Sequence, residues 1–318
     1  MKIAFRHTPF YPEQKEALSR MIRSAGHEPV WLPDTAPSAD DLKDCEVLMG
    51  YFPPDLMKYL PQLKWVQTPA AGVEKLCGDI YANKDVVLTN CSGAFGIAIS
   101  EYMLTGLLML MRNMPAYAAN QRAHVWQCAG TCRSVYGSSI TVLGTGDIGT
   151  QFARRATALG AHVRGVNRSG RPAGPCFEKI FTADRIPEAV AGADAVVMCL
   201  PGTPESTRAV NRTVLAAMSP DTILCNTGRG YTADQAALID ALREKRIAGA
   251  VLDVFETEPL PKDSPLWDME NVIITPHISG HDDDPINIDR IFAIFRENLT
   301  RYLAGQELTH VVNRKLGY

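Results

Sequence analysis

The sequence has 318 residues, more than one ordinary hydrophobic core holds, so we expect two domains. Hydrophobic residues make up 46% and charged residues 21%, with a formal net charge of −3, so the composition gives no basic excess that would point to nucleic acid. The longest apolar run, residues 97–111, is interrupted by polar residues and is too short for a membrane span. The eight cysteines form no CxxC pair, and the N-terminus has no apolar signal segment, so we expect a cytoplasmic protein.

Short apolar strands alternate with helical segments from the N-terminus onward. A helix predicted over residues 12–26 ends at Gly26, which suits the position after a helix. Short helices are expected near residues 38–45 and 53–60. The predicted strands of this part are residues 2–7, 28–33, 46–51, 64–72 and 86–93. Such alternation predicts a parallel sheet covered by helices.

A long, mostly apolar helix is predicted over residues 96–114, and the alternation then restarts. The strands that follow it are residues 139–144, 162–168, 194–201, 222–227, 248–255 and 271–277. Six strands with helices between them make a complete doubly wound dinucleotide-binding domain. A last helix is capped by Asp284, carries Pro285 in its first turn and ends at Gly305. We therefore predict a substrate domain of residues 1–97 completed by 283–318, and a dinucleotide-binding domain of residues 98–282.

A glycine-rich turn, VLGTGDIG, comes directly after a predicted strand and opens a predicted helix. Gly144, Gly146 and Gly149 have the G-x-G-x-x-G spacing, and Asp147 and Ile148 begin the helix. The first glycine permits the tight turn, the second lets the backbone approach a pyrophosphate, and the third allows close packing of helix on strand. The helix N-terminus then faces the anion, so the turn predicts a dinucleotide site.

The next strand ends at Asn167, where a dinucleotide site usually has the acid that binds the ribose. A carboxylate there would repel a 2′-phosphate, whereas Asn167 would not. Arg168, Ser169 and Arg171 follow and offer donors to a phosphate. We interpret this stretch as a selector for NADP(H). The alternative is a solvated basic turn, with NAD(H) as the cofactor.

Three further motifs follow in order, NTGRG at 226–230, DVFETEPLP at 253–261 and TPHISG at 275–280. With these motifs the chain resembles the D-isomer-specific 2-hydroxyacid dehydrogenase family along nearly its whole length. The resemblance implies an α/β fold of two Rossmann-like domains with doubly wound parallel sheets and the active site in the cleft between them. It also implies a homodimer to which the long helix contributes.

By the same resemblance, Arg229, Glu258 and His277 are the catalytic residues. The Arg229 guanidinium suits the carboxylate and carbonyl of a 2-oxo acid. His277 can give a proton to the carbonyl oxygen, or take one in the reverse direction. Glu258, bonded to the other ring nitrogen, would orient the imidazole and favour its protonated form.

Further residues are carried over by motif. Asp253 matches the family aspartate near the nicotinamide amide, although an acid at a strand end could equally cap a turn. The loop TPAAG matches the turn whose N–H groups hold the substrate carboxylate, and this assigns Ala71 and Gly72 to the substrate together with Arg229 and His277. The residues predicted to bind the cofactor are Gly144, Gly146, Asp147, Ile148, Gly149, Asn167, Arg168, Ser169, Arg171, Leu200, Pro201, Thr203, Thr227 and Asp253.

Tyr231 and Thr232 stand where many members of the family have small aliphatic residues, so we expect the cleft near Arg229 to differ. The pocket for the substrate side chain is expected in loops of the first domain around Tyr51 and Phe52, unless these aromatic residues pack in the core.

No metal is expected. His124, Cys128 and Cys132 share a four-residue spacing but lack a fourth ligand. We interpret the acidic run at residues 281–284 as helix capping, and the family needs no metal.

These observations predict an NADPH-dependent reductase of small 2-oxo acids such as glyoxylate or hydroxypyruvate, giving the D-2-hydroxy acid, with no nucleic-acid or membrane partner. One alternative is an NAD-linked D-2-hydroxyacid or phosphoglycerate dehydrogenase. A second is a nucleotide-sensing interaction protein, like the transcriptional corepressors that resemble these enzymes.

Overall fold

The computed structural model describes residues 1–317, which form two compact units. One unit contains residues 1–95 and 281–317, and the other contains residues 96–280. Each of the two boundaries between the units lies two residues before the predicted domain boundary. The chain thus leaves the first unit once and returns to it for its last helix.

The first unit is built on a five-stranded parallel sheet with strand order β2-β1-β3-β4-β5. Its strands are β1 (Lys2–Arg6), β2 (Glu28–Trp31), β3 (Cys45–Gly50), β4 (Trp65–Gln67) and β5 (Val87–Thr89). Its first helices are α1 (Pro12–Ser24) and α2 (Ala39–Leu42), with 3-10 turns at Pro54–Tyr59 and Glu74–Leu76. α1 ends as predicted, since Gly26 has a φ of 76°.

The last helix, Pro285–Leu303, packs on the sheet of the first unit. Asn298 is fully buried, and its amide donates to Gln67 Oε1 at the end of β4, at 2.9 Å. The Tyr302 ring lies 4.9 Å from the ring of Trp65 in β4. The Asp284 carboxylate accepts from the N–H of Ile286 at 3.0 Å, which confirms the predicted cap.

The second unit contains a seven-stranded parallel sheet with strand order β12-β11-β10-β9-β6-β7-β8. The strands are β6 (Ser139–Leu143), β7 (His162–Asn167), β8 (Lys179–Thr182), β9 (Ala195–Met198), β10 (Ile223–Asn226), β11 (Gly249–Leu252) and β12 (Val272–Ile274). The helices are α3 (Gly96–Met111), α4 (Met114–Arg122), α5 (Asp147–Ala158), α6 (Ile186–Val190), α7 (Arg212–Ala217) and α8 (Gln235–Arg243), and the last helix of the chain is α9 (Pro285–Leu303). Both units are α/β with parallel sheets, and the predicted fold class is confirmed.

Two details of the second unit differ from the prediction. The sheet has a seventh strand, β8, which the sequence pattern did not reveal because it is a four-residue edge strand that begins with a lysine. The predicted helix over residues 96–114 ends at Met111, and a second helix begins at Met114. Asn113 has a left-handed φ of 55°, and Pro115 lacks the N–H that a continuous helix needs at that place.

Among the helices of residues 1–317, none combines the length and the hydrophobicity that a membrane-spanning helix requires.

Candidate active site

The glycine-rich turn lies where the strand order of the doubly wound sheet reverses. β6 is the neighbour of both β7 and β9, and a crevice forms at the carboxyl ends of strands at such a reversal. Gly144 directly follows β6 with a φ of 99°, and a Cβ there would lie 2.6 Å from the carbonyl oxygen of Cys199, the residue after β9. Only glycine fits this close approach of two strand ends.

Gly146 and Gly149 differ in what surrounds them. Gly149 lies in the first turn of α5, and a Cβ there would lie 2.0 Å from the carbonyl oxygen of Gly144, so it permits close packing of helix on strand. Gly146 is the N-cap of α5, and a Cβ there would meet no atom within 4 Å. Asp147 and Ile148 follow it as the first residues of the helix. Open space in front of a helix N-terminus fits the pyrophosphate of a dinucleotide.

The turn after β7 is organised by the side chain of Asn167. Its amide nitrogen donates to Thr145 Oγ1 and to the carbonyl oxygen of Arg171, both at 3.0 Å. The Ser169 hydroxyl donates to Asn167 Oδ1 at 3.4 Å. A carboxylate could not donate the first two bonds, so the amide ties the end of β7 to the glycine turn. Arg168 and Arg171 are exposed in the same turn.

Glu205 brings a negative charge close to this turn. Hydrogen bonds from its own backbone N–H and from Thr203 lower the pKa of Glu205, and the positive charge of Arg168 lowers it further. The charge of Arg168 therefore interacts with the Glu205 carboxylate, which belongs to the same unit.

The residues after β9 and β10 meet at the same edge of the sheet. A Cβ on Gly228 would lie 2.7 Å from the carbonyl oxygen of Leu200, and Pro201 is exposed beside it. Thr203 is buried and caps the 3-10 turn Pro204–Ser206. Thr227 is buried, and its hydroxyl lies 3.3 Å from Met103 Sδ. Both threonine hydroxyls therefore make contacts within the protein, and their contact with a cofactor stays a prediction.

Arg229 lies in a turn that side-chain hydrogen bonds and glycines fix closely. Its carbonyl oxygen accepts from Asn226 Nδ2 at 3.2 Å and from the Thr232 hydroxyl at 2.6 Å. A Cβ on Gly230 would lie 1.9 Å from the carbonyl carbon of Phe255, so the turn packs directly on the chain after β11. The half-buried Arg229 side chain donates to the carbonyl oxygen of Gly228 at 2.8 Å.

His277 and Glu258 form the predicted pair. His277 Nδ1 lies 2.8 Å from Glu258 Oε2, and Glu258 Oε1 accepts from the N–H of Phe255 at 2.9 Å. The histidine side chain is 50% exposed and the glutamate side chain 36% exposed, so the pair is open to a ligand. Because Nδ1 faces the carboxylate, Nε2 is the ring nitrogen that does not face Glu258.

Asp253 is fully buried and holds the turn that carries His277. Its carboxylate accepts from the Thr275 hydroxyl at 2.5 Å and from the N–H groups of Ile278 and Ser279 at 2.8 and 2.9 Å. The structure therefore shows Asp253 capping a turn, which was the alternative interpretation of this residue. Its contact with a nicotinamide amide stays a prediction.

Ala71 and Gly72 lie in the first unit, in the loop after β4. The carbonyl oxygen of Ala71 accepts from Asn90 Nδ2 at 2.8 Å, which fixes the loop against the end of β5. Phe52 is buried in the core of this unit, so the core-packing alternative holds for it. Tyr51 is partly exposed, and burial and the nearby Asp282 raise the pKa of its hydroxyl.

In the part of the chain that the structure describes, no group of three or more acidic, histidine and cysteine side chains could hold a metal. Cys128 and Cys132 are exposed, and His281 contacts Asp283 at 2.6 Å.

Three residues of the site had not been singled out from the sequence. Asn226 positions the Arg229 turn, and Thr275 and Tyr102 contact each other at 2.6 Å beside Asp253. Asn226 and Thr275 are part of the motifs already quoted, NTGRG and TPHISG. Tyr102 lies in an apolar helix without a motif, so only the fold reveals it.

The chain is similar in sequence and in fold to known proteins of one family. The family model described as D-isomer specific 2-hydroxyacid dehydrogenase, NAD binding domain, matches residues 104–279. The (S)-sulfolactate dehydrogenase of Chromohalobacter salexigens is 32% identical over 254 residues, which are 78% of this chain and 80% of that protein.

Two solved structures cover nearly the whole chain. A D-isomer specific 2-hydroxyacid dehydrogenase family protein of Aeromonas salmonicida is 31% identical, with a TM-score of 0.82 over 98% of this chain and 99% of that one. The NADPH-dependent glyoxylate/hydroxypyruvate reductase of Sinorhizobium meliloti, in complex with NADP and sulfate, is 26% identical, with a TM-score of 0.82 over 100% of both chains.

Proposed function

Because the chain belongs to the D-isomer-specific 2-hydroxyacid dehydrogenase family, we propose that it is an NADPH-dependent reductase of small 2-oxo acids such as glyoxylate or hydroxypyruvate. Members of the family are oxidoreductases that use a nicotinamide cofactor and act on the CH–OH group of 2-hydroxy acids. The proposed product is the D-2-hydroxy acid. We also propose that the protein is a cytoplasmic homodimer. Trp126 is fully exposed, and Met114 at the start of α4 is exposed as well. These two apolar side chains support a contact with a second copy of the chain.

The observation that carries the cofactor preference is the turn after β7. Asn167 replaces the usual carboxylate and so removes the repulsion of a 2′-phosphate, and its amide bonds shape a turn from which Arg168 and Arg171 are exposed. The NADP bound to the related Sinorhizobium meliloti enzyme supports this assignment. The pyrophosphate is assigned to Gly146 and the N-terminus of α5, where the protein leaves space.

In the proposed reaction Arg229 binds the substrate carboxylate and polarises the carbonyl, together with the main-chain N–H groups of Ala71 and Gly72. When bound, the reduced nicotinamide supplies a hydride to C2 of the 2-oxo acid. His277 gives the proton to the carbonyl oxygen from Nε2, so one hydride and one proton convert the 2-oxo group into the alcohol. Glu258 holds Nδ1 at 2.8 Å and thereby fixes which nitrogen faces the substrate.

A second candidate is an NAD-linked dehydrogenase of the same family. The observation in its favour is the negative charge of Glu205, which acts on Arg168 and would compete with a cofactor phosphate for it. In that case Asn167 would have only the local role of joining β7 to the glycine turn.

The reaction is tested by steady-state reduction of hydroxypyruvate and glyoxylate with NADPH, followed by chiral analysis of the product glycerate. We expect His277→Gln to lower kcat about 100-fold or more because the proton donor is lost. Arg154→Ala, which removes an exposed charge from α5, is the matched control and should match wild type. Absence of turnover with both acids, or full activity of His277→Gln, would exclude the proposed reaction.

A further inference from the structure

Three side chains form a hydrogen-bonded chain from α3 to the turn that carries His277. The Tyr102 hydroxyl lies 2.6 Å from Thr275 Oγ1, and Thr275 Oγ1 donates to Asp253 Oδ1 at 2.5 Å. A threonine hydroxyl has one hydrogen, and that hydrogen is used on Asp253. Tyr102 is therefore the donor of the first bond, and donation runs from Tyr102 to Thr275 to Asp253.

Asp253 determines the backbone position of His277. Its carboxylate accepts from the N–H groups of Ile278 and Ser279 at 2.8 and 2.9 Å, and its carbonyl oxygen accepts from the N–H of His277 at 2.9 Å. His277, whose N–H and whose two following N–H groups make these bonds, has a φ of 57°, a left-handed conformation that is uncommon for a residue with a side chain. If the Asp253 carboxylate rotated, it would lose its hydrogen bonds with the N–H groups of Ile278 and Ser279, the two residues after His277.

Tyr102 is itself fixed against the strand that ends before Asp253. A Cβ on Gly106 would lie 2.5 Å from Val251 Cγ1 in β11, so α3 approaches this strand closely. Residues four apart share one face of a helix, and Tyr102 precedes Gly106 by one turn. Burial raises the pKa of the Tyr102 hydroxyl further above neutral pH, where a tyrosine is already protonated and able to donate.

We propose that Tyr102 is a positioning residue that, through Thr275 and Asp253, holds His277 where its Nδ1 meets Glu258. The inference rests on the proposed function, in which His277 is the acid–base group. It assigns Tyr102 no contact with substrate or cofactor, so loss of its hydroxyl should affect the chemical step more than substrate binding.

The kinetic test is Tyr102→Phe, which removes the hydroxyl and keeps the ring. We expect kcat for hydroxypyruvate to fall about 10-fold while KM changes by less than about twofold, because a displaced proton donor weakens the transition state and leaves ground-state binding intact. Tyr117→Phe is the matched control, since the Tyr117 hydroxyl accepts from the N–H of Ala129 at 3.2 Å in another part of the same unit.

Thr275 variants separate positioning from general stability. Thr275→Val should lower kcat to the same extent as Tyr102→Phe. Thr275→Ser keeps the hydroxyl and should therefore have the kcat of the wild type. The double variant Tyr102→Phe/Thr275→Val should be no slower than Thr275→Val alone, because both changes break one chain. Additive losses in kcat, or wild-type kcat in Tyr102→Phe, would overturn the proposal.

A measurement without turnover keeps this test separate from that of the proposed function. The downfield proton signal of the His277–Glu258 hydrogen bond is assigned by its loss in His277→Gln. It should persist in Tyr117→Phe and be lost or broadened in Tyr102→Phe. If the wild type reduces no 2-oxo acid, the proposed function fails, while an unchanged signal in Tyr102→Phe is the result that refutes the role of Tyr102.

Discussion

At the scale of single residues, the site depends on hydrogen bonds that fix which atom faces a ligand. Glu258 uses one oxygen on His277 Nδ1 and the other on the N–H of Phe255, so its position is fixed at both oxygens. The motifs predicted this pair, because the residue types and their order are specific. They could not predict that His277 adopts a left-handed φ of 57°, since that depends on the buried Asp253, which is distant in sequence.

Glu258→Gln removes the charge of this pair and keeps the shape of the side chain, and its one amide oxygen can take the place of only one of the two carboxylate oxygens. We expect kcat for hydroxypyruvate reduction to fall about 10- to 100-fold with little change in KM, because a neutral amide stabilises protonated imidazole less than a carboxylate does. Steady-state kinetics at one pH measure this loss. Glu256→Gln, in the same motif but bonded to the N–H of Gln235, should remain at wild-type activity. Equal activity of the two variants would contradict the role of Glu258.

At the scale of elements, the sequence predicted best those strands and turns whose shape is set locally. The strand, glycine turn and helix around Gly144 were predicted because the spacing of the three glycines between a strand and a helix is a local pattern, in which Gly144 has a φ of 99° and Gly149 packs on the Gly144 carbonyl oxygen. The edge strand β8 was missed because it pairs with β7 alone, and such a contact leaves little trace in four residues. The break at Asn113 was missed because only two polar residues, Arg112 and Asn113, separate the apolar helix from Met114.

Gly146→Ala and Gly149→Ala test the different roles of the two glycines in this turn. At Gly146 a methyl group meets nothing in the protein, so we expect unchanged thermal stability and a KM for NADPH raised about 10-fold or more, because the methyl group occupies space assigned to the pyrophosphate. At Gly149 it would lie 2.0 Å from the Gly144 carbonyl oxygen, so we expect a loss of about 1–3 kcal/mol in unfolding free energy. Calorimetry and cofactor titration measure both quantities. Weakened folding of Gly146→Ala with normal cofactor binding would contradict this assignment.

At the scale of the whole molecule, the two parallel sheets were predicted from alternation, and the family membership from the order of four motifs. The return of α9 to the first sheet depends on the bond from the buried Asn298 to Gln67 and on the packing of Tyr302 near Trp65. Those contacts join residues more than two hundred positions apart in the sequence, so no local sequence pattern predicts them. The proposed substrate pocket has the same difficulty, because the loops around Tyr51 and Ala71 to which we assign it take their geometry from the folded chain and not from a local pattern.

The proposed use of NADPH is tested by comparing kcat/KM for NADPH and for NADH with hydroxypyruvate as the acceptor. Charge-assisted hydrogen bonds contribute about 1.5–3 kcal/mol, so we predict about a 10- to 100-fold preference for NADPH. Replacing Arg168 and Arg171 together by alanine should remove that preference, while Arg154→Ala should keep it. Equal or better use of NADH by the wild type would contradict this proposal and favour the NAD-linked alternative.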